Sequence, residues 1–406
     1  MIKIRPIYIY ITIPLSIILI CALFFMFLHK KKSVTWTCEN SLHLVSAPDI
    51  DDRSEIDTLI RSIDFSLKYL NKIDPKTLMS FGKEKFTSKN IKTSLIDFKE
   101  KLKELGLTKK FFTYIRKNYT FYKSSAKKVL YTGYYEANLK GSLTQSDIYK
   151  YPLYRKPEDL YRIDLSKFPF YHKYNGLPEI LRGRLSEDNL ILPYYTRKEI
   201  DSEKKLAEKN LEIVWVDNVI ELFFLQIQGS GIIHLDTGET LRVNYAESNG
   251  HAYQAIGRLL IDKGLLSKEN VSMQSIRNYI EKHPEQMEQI FNYNPSYIFF
   301  RKVDEGPIGS IGVPLTPFRS IATDRYLFPK GAICYIKTRL PLFDENNKVK
   351  EWKLFQSFVL NQDSGGVIRT PGRVDLFTGN GKKSELIAGH INQNGNLYFL
   401  IKKPLE

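Results

Sequence analysis

Residues 362–381 read QDSGGVIRTPGRVDLFTGNG, and this stretch carries the clearest indication of fold in the chain. Two glycine turns, Ser364-Gly365-Gly366 and Gly379-Asn380-Gly381, enclose a short run in which apolar residues flank Asp375. Short runs of this kind between Gly, Pro and Asn turns are typical of a barrel or a sandwich. The tail after Val313, about 90 residues long, has the same texture. We therefore predict a compact β-rich C-terminal region.

Upstream of this tail, short aromatic and β-branched runs begin at Val129. Helical patterns at about residues 251–263 and 272–282 interrupt them. Ahead of Val129, apolar residues recur at helical spacing over residues 53–73, and a second helix is predicted to end within residues 99–106. The residue patterns alone thus predict a β-rich protein with peripheral helices.

Length and composition limit the class of protein. At 406 residues the chain exceeds what one core usually organises, so we expect two domains or one domain with a large insertion. Hydrophobic residues make up 43% and charged residues 26%, which leaves no room for a long disordered region. The net charge is +15, or about +10 without the five basic residues that flank an N-terminal apolar segment. We find no helix-turn-helix, zinc-finger or RNA-binding signature, so nucleic acid is not an expected partner.

The N-terminal apolar segment predicts a membrane anchor. From Ile7 to Leu28 no residue is charged, and a helix over this range would span about 33 Å, enough for a hydrocarbon core of about 30 Å. The segment runs directly into a basic cluster, where a cleaved signal peptide would have small residues. A lipoprotein is not expected, because Ile20 and Thr37 stand before Cys21 and Cys38 where a small residue is needed. The basic residues on the two sides nearly balance, so charge alone leaves the orientation open.

The three cysteines, Cys21, Cys38 and Cys334, show no C-x-x-C spacing. Neither a zinc ribbon nor a thioredoxin-type motif is therefore indicated. Sequence leaves open whether Cys38 and Cys334 pair, because it does not give their separation.

Three aspartates in the tail are candidates for chemistry: Asp324, Asp363 and Asp375. Each alone fits a turn or a cap. Asp375 differs because Val374 and Leu376 make its surroundings apolar, a setting in which a carboxyl can serve as an acid catalyst. Its neighbour Arg373 would oppose that effect, so residue context alone does not decide the protonation state.

The order Thr-Asp, Asp-x-Gly-Gly, Val-Asp-Leu-Phe-x-Gly resembles the 3D domain, a C-terminal module named for its three aspartates. Further motifs resemble the MltA family of lytic murein transglycosylases and occur in the same order as in that family. They are Tyr131-Thr132-Gly133-Tyr134-Tyr135-Glu136, Phe224-Leu225-Gln226-Ile227-Gln228-Gly229-Ser230-Gly231, Asn249-Gly250-His251-Ala252-Tyr253, Asn294-Pro295-Ser296-Tyr297 and Val313-Pro314-Leu315. The resemblance covers roughly residues 125–400, and several independent motifs in one order make coincidence improbable.

The resemblance implies a mainly β fold: a double-psi β-barrel with a second β-rich domain inserted. The residue patterns add a few peripheral helices and the N-terminal transmembrane helix. The expected segments are an anchor at 7–28, a helical lead-in and first part of the barrel at 33–136, the inserted domain at 137–312, and the 3D domain at 313–406.

The activity implied by the resemblance is that of a lyase that cleaves the β-1,4 bond between N-acetylmuramic acid and N-acetylglucosamine. The substrate's own C6 hydroxyl attacks and gives a 1,6-anhydro product, so one carboxyl can serve where an ordinary glycosidase needs two. Asp375 maps onto the catalytic acid and base, with Asp363 and Asp324 supporting it. No metal or organic cofactor is needed. A hydrolase that uses water and two aspartates, or a non-catalytic wall-binding protein, are the alternatives.

Predicted substrate contacts come from the same motifs, because amides and hydroxyls beside glycines suit sugar hydroxyl and acetamido groups. For the glutamines, a β-bulge with buried amides is the structural alternative. The predicted contacts are Thr132, Gly133, Tyr134, Tyr135, Gln226, Gln228, Gly229, Ser230, Gly231, Asn249 and Tyr253. Expected partners are peptidoglycan glycan strands, the membrane through the N-terminal helix, and complexes of cell-wall synthesis or division. The body is then expected in the periplasm on an inner-membrane anchor.

Overall fold

The computed structural model describes residues 35–169 and 178–404. From Thr37 onward the chain packs as one compact unit. The anchor predicted at residues 7–28 lies outside the described residues. Within the described ranges, no helix is both long enough and apolar enough to cross a membrane.

A helical lead-in opens the described chain. Its elements are α1 (Cys38–Ser41), β1 (Leu42–Val45), α2 (Ile56–Leu70), β2 (Leu78–Phe81), β3 (Glu84–Thr87), α3 (Ser88–Leu105) and α4 (Lys109–Asn118). The helix predicted over residues 53–73 is confirmed by α2, which buries Leu59 and Ile63 on one face. The second predicted helix is confirmed by α3. It begins after Thr87, whose hydroxyl accepts a hydrogen bond from a backbone N–H of the first turn, and it ends at Gly106 with φ 63°.

Six strands form a closed ring. They are β5 (Val129–Ser142), β14 (Ser320–Ala322), β15 (Ile333–Phe343), β16 (Val349–Asp363), β17 (Arg373–Asn380) and β18 (Asn392–Lys402). The order is β18-β15-β16-β14-β17-β5, and β18 then pairs with β5 to close the ring. The β14–β16 and β17–β5 pairs are parallel, and the other pairs of the ring are antiparallel. Strand β4 (Tyr119–Ser124) joins β18 to β1 outside the ring. The β-rich tail predicted after Val313 is thus confirmed.

Strand β5 continues beyond the ring into a second region. There it pairs with β11 (Ser230–Leu235) and β10 (Glu212–Val216), and the sheet extends through β6 (Tyr151–Tyr154), β12 (Thr240–Ser248) and β13 (Ile298–Lys302). Helix α6 (Val219–Gln228) packs on it, and Leu139, Leu225 and Ile233 share one buried core. A small separate sheet contains β7 (Tyr161–Asp164), β8 (Ile180–Leu185) and β9 (Ile191–Pro193), next to a 3₁₀ turn at Leu165–Lys167, and α5 (Arg197–Asp201) follows.

Three further helices precede β13: α7 (Ile256–Asp262), α8 (Met273–Lys282) and α9 (Pro284–Asn292). The helix predicted over residues 251–263 is too long. The helix begins only at Ile256, and in the non-helical segment before it the His251 ring is hydrogen-bonded to the Tyr194 carbonyl at 2.6 Å. The helix predicted over 272–282 is confirmed, with Ser272 as its N-cap. Helix α9 was not predicted; it begins at Pro284, a residue favoured in the first turn of a helix.

Helix α10 (Gly381–His390) lies directly on β5. A Cβ at Gly133 would be 2.6 Å from the Ala388 Cα, so only glycine allows the helix to approach this closely. The two cysteines among the described residues, Cys38 and Cys334, are free thiols. Cys38 donates to the Tyr326 carbonyl at 2.7 Å, and burial raises the pKa of Cys334 well above its usual value.

Candidate active site

Two of the three candidate aspartates, Asp363 and Asp375, lie at the same height on the closed ring of strands. Ala322 of β14 pairs with Asp363 of β16 on one side and with Asp375 of β17 on the other. Asp375 pairs in turn with Thr132 of β5. Neighbouring strands lie about 4.8 Å apart, so the two aspartate backbones are roughly 10 Å apart. The fold thus gathers residues from three distant segments into one row.

The Asp375 carboxyl has two unequal oxygens. Its neighbours Val374 and Leu376 point into the barrel and are fully buried, whereas the Asp375 side chain is 17% exposed. Oδ1 accepts hydrogen bonds from the Thr132 hydroxyl and from the Arg373 Nε, the latter at 3.2 Å. Oδ2 makes no hydrogen bond within the described ranges and faces Gly365, where an added methyl group would lie 3.8 Å away. One oxygen is therefore held and the other is open.

Both oxygens of the Asp363 carboxyl, by contrast, accept hydrogen bonds. Oδ1 accepts the backbone N–H groups of Ser310 and Ser364, each at 2.8 Å. Oδ2 accepts the Tyr134 phenol at 2.9 Å. Burial raises the pKa of Asp363 above its ordinary value, and these donors, together with the Lys330 ammonium, act in the opposite direction. Each oxygen of Asp363 thus already accepts at least one hydrogen bond, whereas Oδ2 of Asp375 accepts none within the described ranges.

Asp324 lies just beyond β14 and serves the turn that follows. Its side chain is buried, and Oδ1 accepts the backbone N–H of Tyr326 at 2.9 Å. Because it stands two residues beyond Ala322, it does not share the level of Asp375. The structure therefore brings Asp363 and Asp375 together and places Asp324 in a supporting turn.

Tyr134 donates a hydrogen bond to one aspartate of the row, Asp363. Its ring contacts Phe377, with centroids 5.4 Å apart and planes inclined by 49°. Burial and the charges of Asp363 and Asp375 raise the pKa of the Tyr134 phenol far above its ordinary value. The phenol therefore stays protonated and can only donate to Asp363.

The Gln-Gly-Ser-Gly motif is a helix end, not the β-bulge considered above. Helix α6 ends at Gln228, and Gly229 takes the left-handed conformation with φ 82° that lets its N–H bond the Leu225 carbonyl. Ser230 then begins β11. The Gln228 side chain accepts the backbone N–H of Tyr135 at 3.0 Å, which joins α6 to β5.

Several predicted sugar contacts are buried. Gln226, Tyr135 and Ser230 are 4%, 2% and 5% exposed, so they lie in the interior of the protein. A Cβ at Gly231 would lie 2.5 Å from a Leu225 methyl carbon, which makes this glycine a packing requirement between α6 and β5. Sequence could not separate these inward positions from outward ones, because the motif spans a helix end and a strand.

The Asn-Gly-His segment divides between scaffold and site. Asn249 is 1% exposed, and its amide donates to the carbonyls of Tyr195 and Pro295 at 2.9 and 2.8 Å. It therefore holds loops together and does not face solvent. Tyr253 is 36% exposed, and burial raises the pKa of its phenol, an effect that the positive charge of Arg373 partly offsets.

Lys330, in the sequence Pro329-Lys330-Gly331, was not predicted as a site residue. Its ammonium donates to the Asp363 carbonyl at 2.6 Å and lies 3.4 Å from the Thr323 hydroxyl and the Asn361 amide oxygen. Burial lowers the pKa of Lys330 to about 8. No local pattern marks a turn lysine as buried, so only the structure reveals it.

Comparisons with known proteins identify the families that this chain resembles. Residues 130–301 match the family model described as the MltA specific insert domain, and residues 319–401 match the 3D domain. Membrane-bound lytic murein transglycosylase A of Escherichia coli (strain K12) is 31% identical over 280 residues, which is 68% of this chain. That alignment spans 66% of the relative's length, just under two thirds.

Solved structures give the same answer for the fold. A membrane-bound lytic murein transglycosylase from Agrobacterium tumefaciens superimposes with a TM-score of 0.73 at 29% identity, covering 89% of this chain and 98% of that one. E. coli MltA with bound chitohexaose superimposes with a TM-score of 0.67 at 23% identity, covering 93% and 97%.

Proposed function

Because the chain belongs to the MltA family, we propose that it is a lytic transglycosylase acting on peptidoglycan. It cleaves the β-1,4 bond between N-acetylmuramic acid and N-acetylglucosamine and leaves a 1,6-anhydromuramoyl end. The reaction is a lyase reaction because the attacking hydroxyl belongs to the substrate and no water is added.

The observation that carries this proposal is the difference between the two carboxyls of the barrel row. Asp375 has one free oxygen directed at the glycine turn, whereas both oxygens of Asp363 are occupied by three donors. A glycosidase that uses water needs two working carboxyls. The site offers one, which supports intramolecular attack by the substrate over hydrolysis.

One carboxyl can complete the cycle. Protonated Asp375 gives its proton to the glycosidic oxygen as the C1–O4 bond breaks, and the leaving sugar becomes an alcohol. The C6 hydroxyl then forms the C6–O–C1 bond and returns its proton to Asp375. The carboxyl ends the cycle as it began. The tethered nucleophile also removes the entropic cost of capturing a second molecule.

The accessible side chains near Asp375 are the proposed substrate contacts. Tyr134 and Tyr253 keep exposed ring area, and Thr132 is partly exposed beside the reacting carboxyl. Binding sites of this kind combine aromatic walls with a few oriented polar groups. The buried members of the predicted set support the site from behind.

We propose that the closed six-stranded ring is a double-psi barrel made by residues 33–136 and 313–406, with residues 137–312 as the inserted domain. Two parallel pairs within one small closed ring support this assignment. Strand β5 would pass from the barrel into the insert. Limited proteolysis that cut first within residues 143–312 and left the strands of the ring intact would support these boundaries, and cleavage within β14–β18 first would contradict them.

The proposed location follows from the substrate. Relatives named membrane-bound transglycosylases associate with the cell envelope, and we propose an inner-membrane anchor at residues 7–28 with the body in the periplasm. A C-terminal alkaline phosphatase fusion, active only outside the cytoplasm, should be active. Activity of a reporter that works only in the cytoplasm would overturn this topology.

Mass spectrometry of digested peptidoglycan tests the reaction. A transglycosylase releases muropeptides with anhydro ends, whereas a hydrolase releases products one water heavier. Asp375→Asn should lower anhydro release by about ten-thousand-fold or more, because general acid and base catalysis contribute about a hundred- to ten-thousand-fold per role. The asparagine oxygen can still accept from Thr132 and Arg373, so the fold should persist.

Asp324→Asn is the matched control, because the amide can still accept the Tyr326 N–H. It should be far milder in rate. A folded Asp375→Asn protein that still gives anhydro products at a tenth of the normal rate would exclude Asp375 as the sole acid and base.

A further inference from the structure

The positive charge of the protein is unevenly distributed along the chain. Residues 53–128 contain 19 Lys and Arg against 8 Asp and Glu, a net charge of +11. Residues 129–406 contain 36 against 33, a net charge of only +3. The helical lead-in therefore presents a strongly basic surface of its own, whereas the ring and the middle region are nearly neutral.

The hairpin of β2 and β3 directs part of this charge outward. Its inner face packs on the protein, because the rings of Phe81 and Phe86 contact each other with centroids 5.3 Å apart and Phe81 contacts Tyr122 of β4 at 5.5 Å. This packing fixes the direction of the opposite, outer face. The register of the two strands places on that outer face Leu78, Ser80, Lys85 and Thr87.

Three more lysines adjoin the hairpin. The Lys89 N–H donates to the Pro75 carbonyl at 3.2 Å, which places the start of α3 beside Lys76, and Lys83 lies in the hairpin turn. We call the following set the hairpin surface: Lys76, Lys83, Lys85, Lys89 and Leu78. The four lysines are exposed, and none of them forms an ion pair with another residue that the structure describes.

The nearby acidic residues do not pair with these lysines. The Asp74 carboxylate accepts the backbone N–H of Lys76 at 2.9 Å, and the Glu84 carboxylate accepts the Tyr122 hydroxyl at 2.5 Å. Leu78, by contrast, is 63% exposed between the lysines. The hairpin surface thus combines unpaired positive charge with an apolar side chain that has no cover among the described residues.

We propose that the hairpin surface binds the surface of a bilayer that contains anionic phospholipids. The lysines would lie at the level of the phosphate groups, and Leu78 would enter the boundary between head groups and acyl chains. This inference goes beyond the proposed activity and holds whether or not the chain cleaves a glycan.

The leucine distinguishes a bilayer from an acidic polymer. A hydrated anionic polysaccharide would also attract the lysines, but it would leave Leu78 in water, whereas a bilayer removes that side chain from water. The kind of cation fits as well, because all four basic residues of the hairpin surface are lysines. A lysine is a flexible point charge that can follow mobile head groups, whereas arginine is suited to fixed two-point contacts.

Acetylation of individual lysines, measured by mass spectrometry, tests the proposal on the full-length chain. The protein is reconstituted with vesicles of phosphatidylcholine alone or of an equal mixture of phosphatidylcholine and phosphatidylglycerol. In the mixed vesicles at about 0.05 M salt, a water-soluble reagent should label the four lysines about fivefold more slowly than in the neutral vesicles. At about 1 M salt, where the screening length is about 3 Å, this protection should disappear.

The same spectra contain internal controls. Four lysines outside the lead-in are also exposed, and their labelling should be the same with both kinds of vesicle. They are Lys348, Lys350, Lys353 and Lys382. Because the two sets are compared within one molecule, the result does not depend on how much protein enters the vesicles or on whether an N-terminal anchor inserts.

Two substitutions separate the charge from the apolar contact. Lys85→Glu should reduce the protection of the remaining three lysines about threefold, and Leu78→Ser should reduce that of all four about twofold. Lys353→Glu and Leu354→Ser change exposed residues of the same types on β16 and are the matched controls, which should behave as wild type. Circular dichroism should be unchanged in all four variants, since each position is exposed.

Three results would overturn the proposal. The first is equal labelling of the two sets of lysines in the mixed vesicles, and the second is equal protection in the neutral ones, which would exclude a role of lipid charge. The third is protection by insoluble peptidoglycan and not by the vesicles, which would assign the hairpin surface to the wall polymer.

Discussion

The buried ion pair between Asp52 and Arg319 should be a main support of the barrel. The two side chains are 0% and 1% exposed, and Arg319 Nη1 lies 2.6 Å from Asp52 Oδ2. The same oxygen accepts the Phe358 N–H at 2.9 Å. Arg319 immediately precedes β14, the strand between the two aspartates of the site. The pair thus attaches the helical lead-in to the strand that sets their spacing.

We expect Asp52→Ala to lower the free energy of unfolding by about 4 kcal/mol. Removing one partner of a buried pair typically costs about 3–5 kcal/mol, because the other charge stays buried and uncompensated. The total stability of a domain is only about 5–15 kcal/mol, so this loss is a large fraction of it. Asp52→Asn should lose less, since its amide oxygen can still accept the Phe358 N–H.

Equilibrium urea unfolding followed by circular dichroism measures this loss. Asp51→Ala is the matched control one residue away, because Asp51 pairs with Arg53 at the surface, where the side chains are 37% and 85% exposed. Exposed pairs contribute about 0–1 kcal/mol. If Asp52→Ala stayed within 1 kcal/mol of Asp51→Ala, the lead-in would not anchor β14 and the assignment of residues 33–136 to the barrel would lose its support.

Two further perturbations have defined outcomes. Gly133→Ala should destabilise the protein by about 1–3 kcal/mol and reduce activity, because the new methyl would collide with Ala388 of α10. Gly366→Ala is the control: it has open space around it and should leave thermal unfolding nearly unchanged. Burial raises the pKa of Glu247. Arg182, whose Nε lies 2.7 Å from Glu247 Oε1, and other donors lower that pKa by more than burial raises it, so the net shift is downward from 4.5. The stability from this shift is present above about pH 4.5 and is lost as the pH falls through the lower folded-state value. Glu247→Gln should flatten that acid limb in unfolding measured from pH 3 to 6, and an unchanged limb would assign it to other carboxyls.

Local sequence patterns were sufficient to predict individual helices, but they could not predict how the residues of the site come together. The helix at Ile56–Leu70 follows from apolar spacing, and the end of α3 follows from Gly106, because both signals lie within one turn of the residues they affect. The row through Asp363, Ala322 and Asp375 depends on pairings between distant strands, and a one-residue slip would turn the aspartates inward. Periodicity contains no information about that register.

The resemblance to a family located Asp375 but did not show which neighbours face it. Tyr135 and Gln226 belong to the same motifs as Tyr134 and Gln228, yet they lie in the core. Successive side chains along β5 point to opposite faces of the sheet, and the sequence does not show which face is exposed to a substrate. The burial of Lys330 could not be predicted for a related reason, since it results from the packing of strands β14 and β16 around a turn.

Strand β5 has a mechanical consequence. A single unbroken strand is hydrogen-bonded to β17 and β18 over its first half and to β11 and β10 over its second half. Moving the two sheets relative to each other would break backbone hydrogen bonds of β5 on both sides of Glu136. A linker loop would not resist such a movement. We therefore expect the barrel and the inserted region to keep a fixed position relative to each other. If amide hydrogens of β5 exchanged as fast as those of surface loops, this expectation would be wrong.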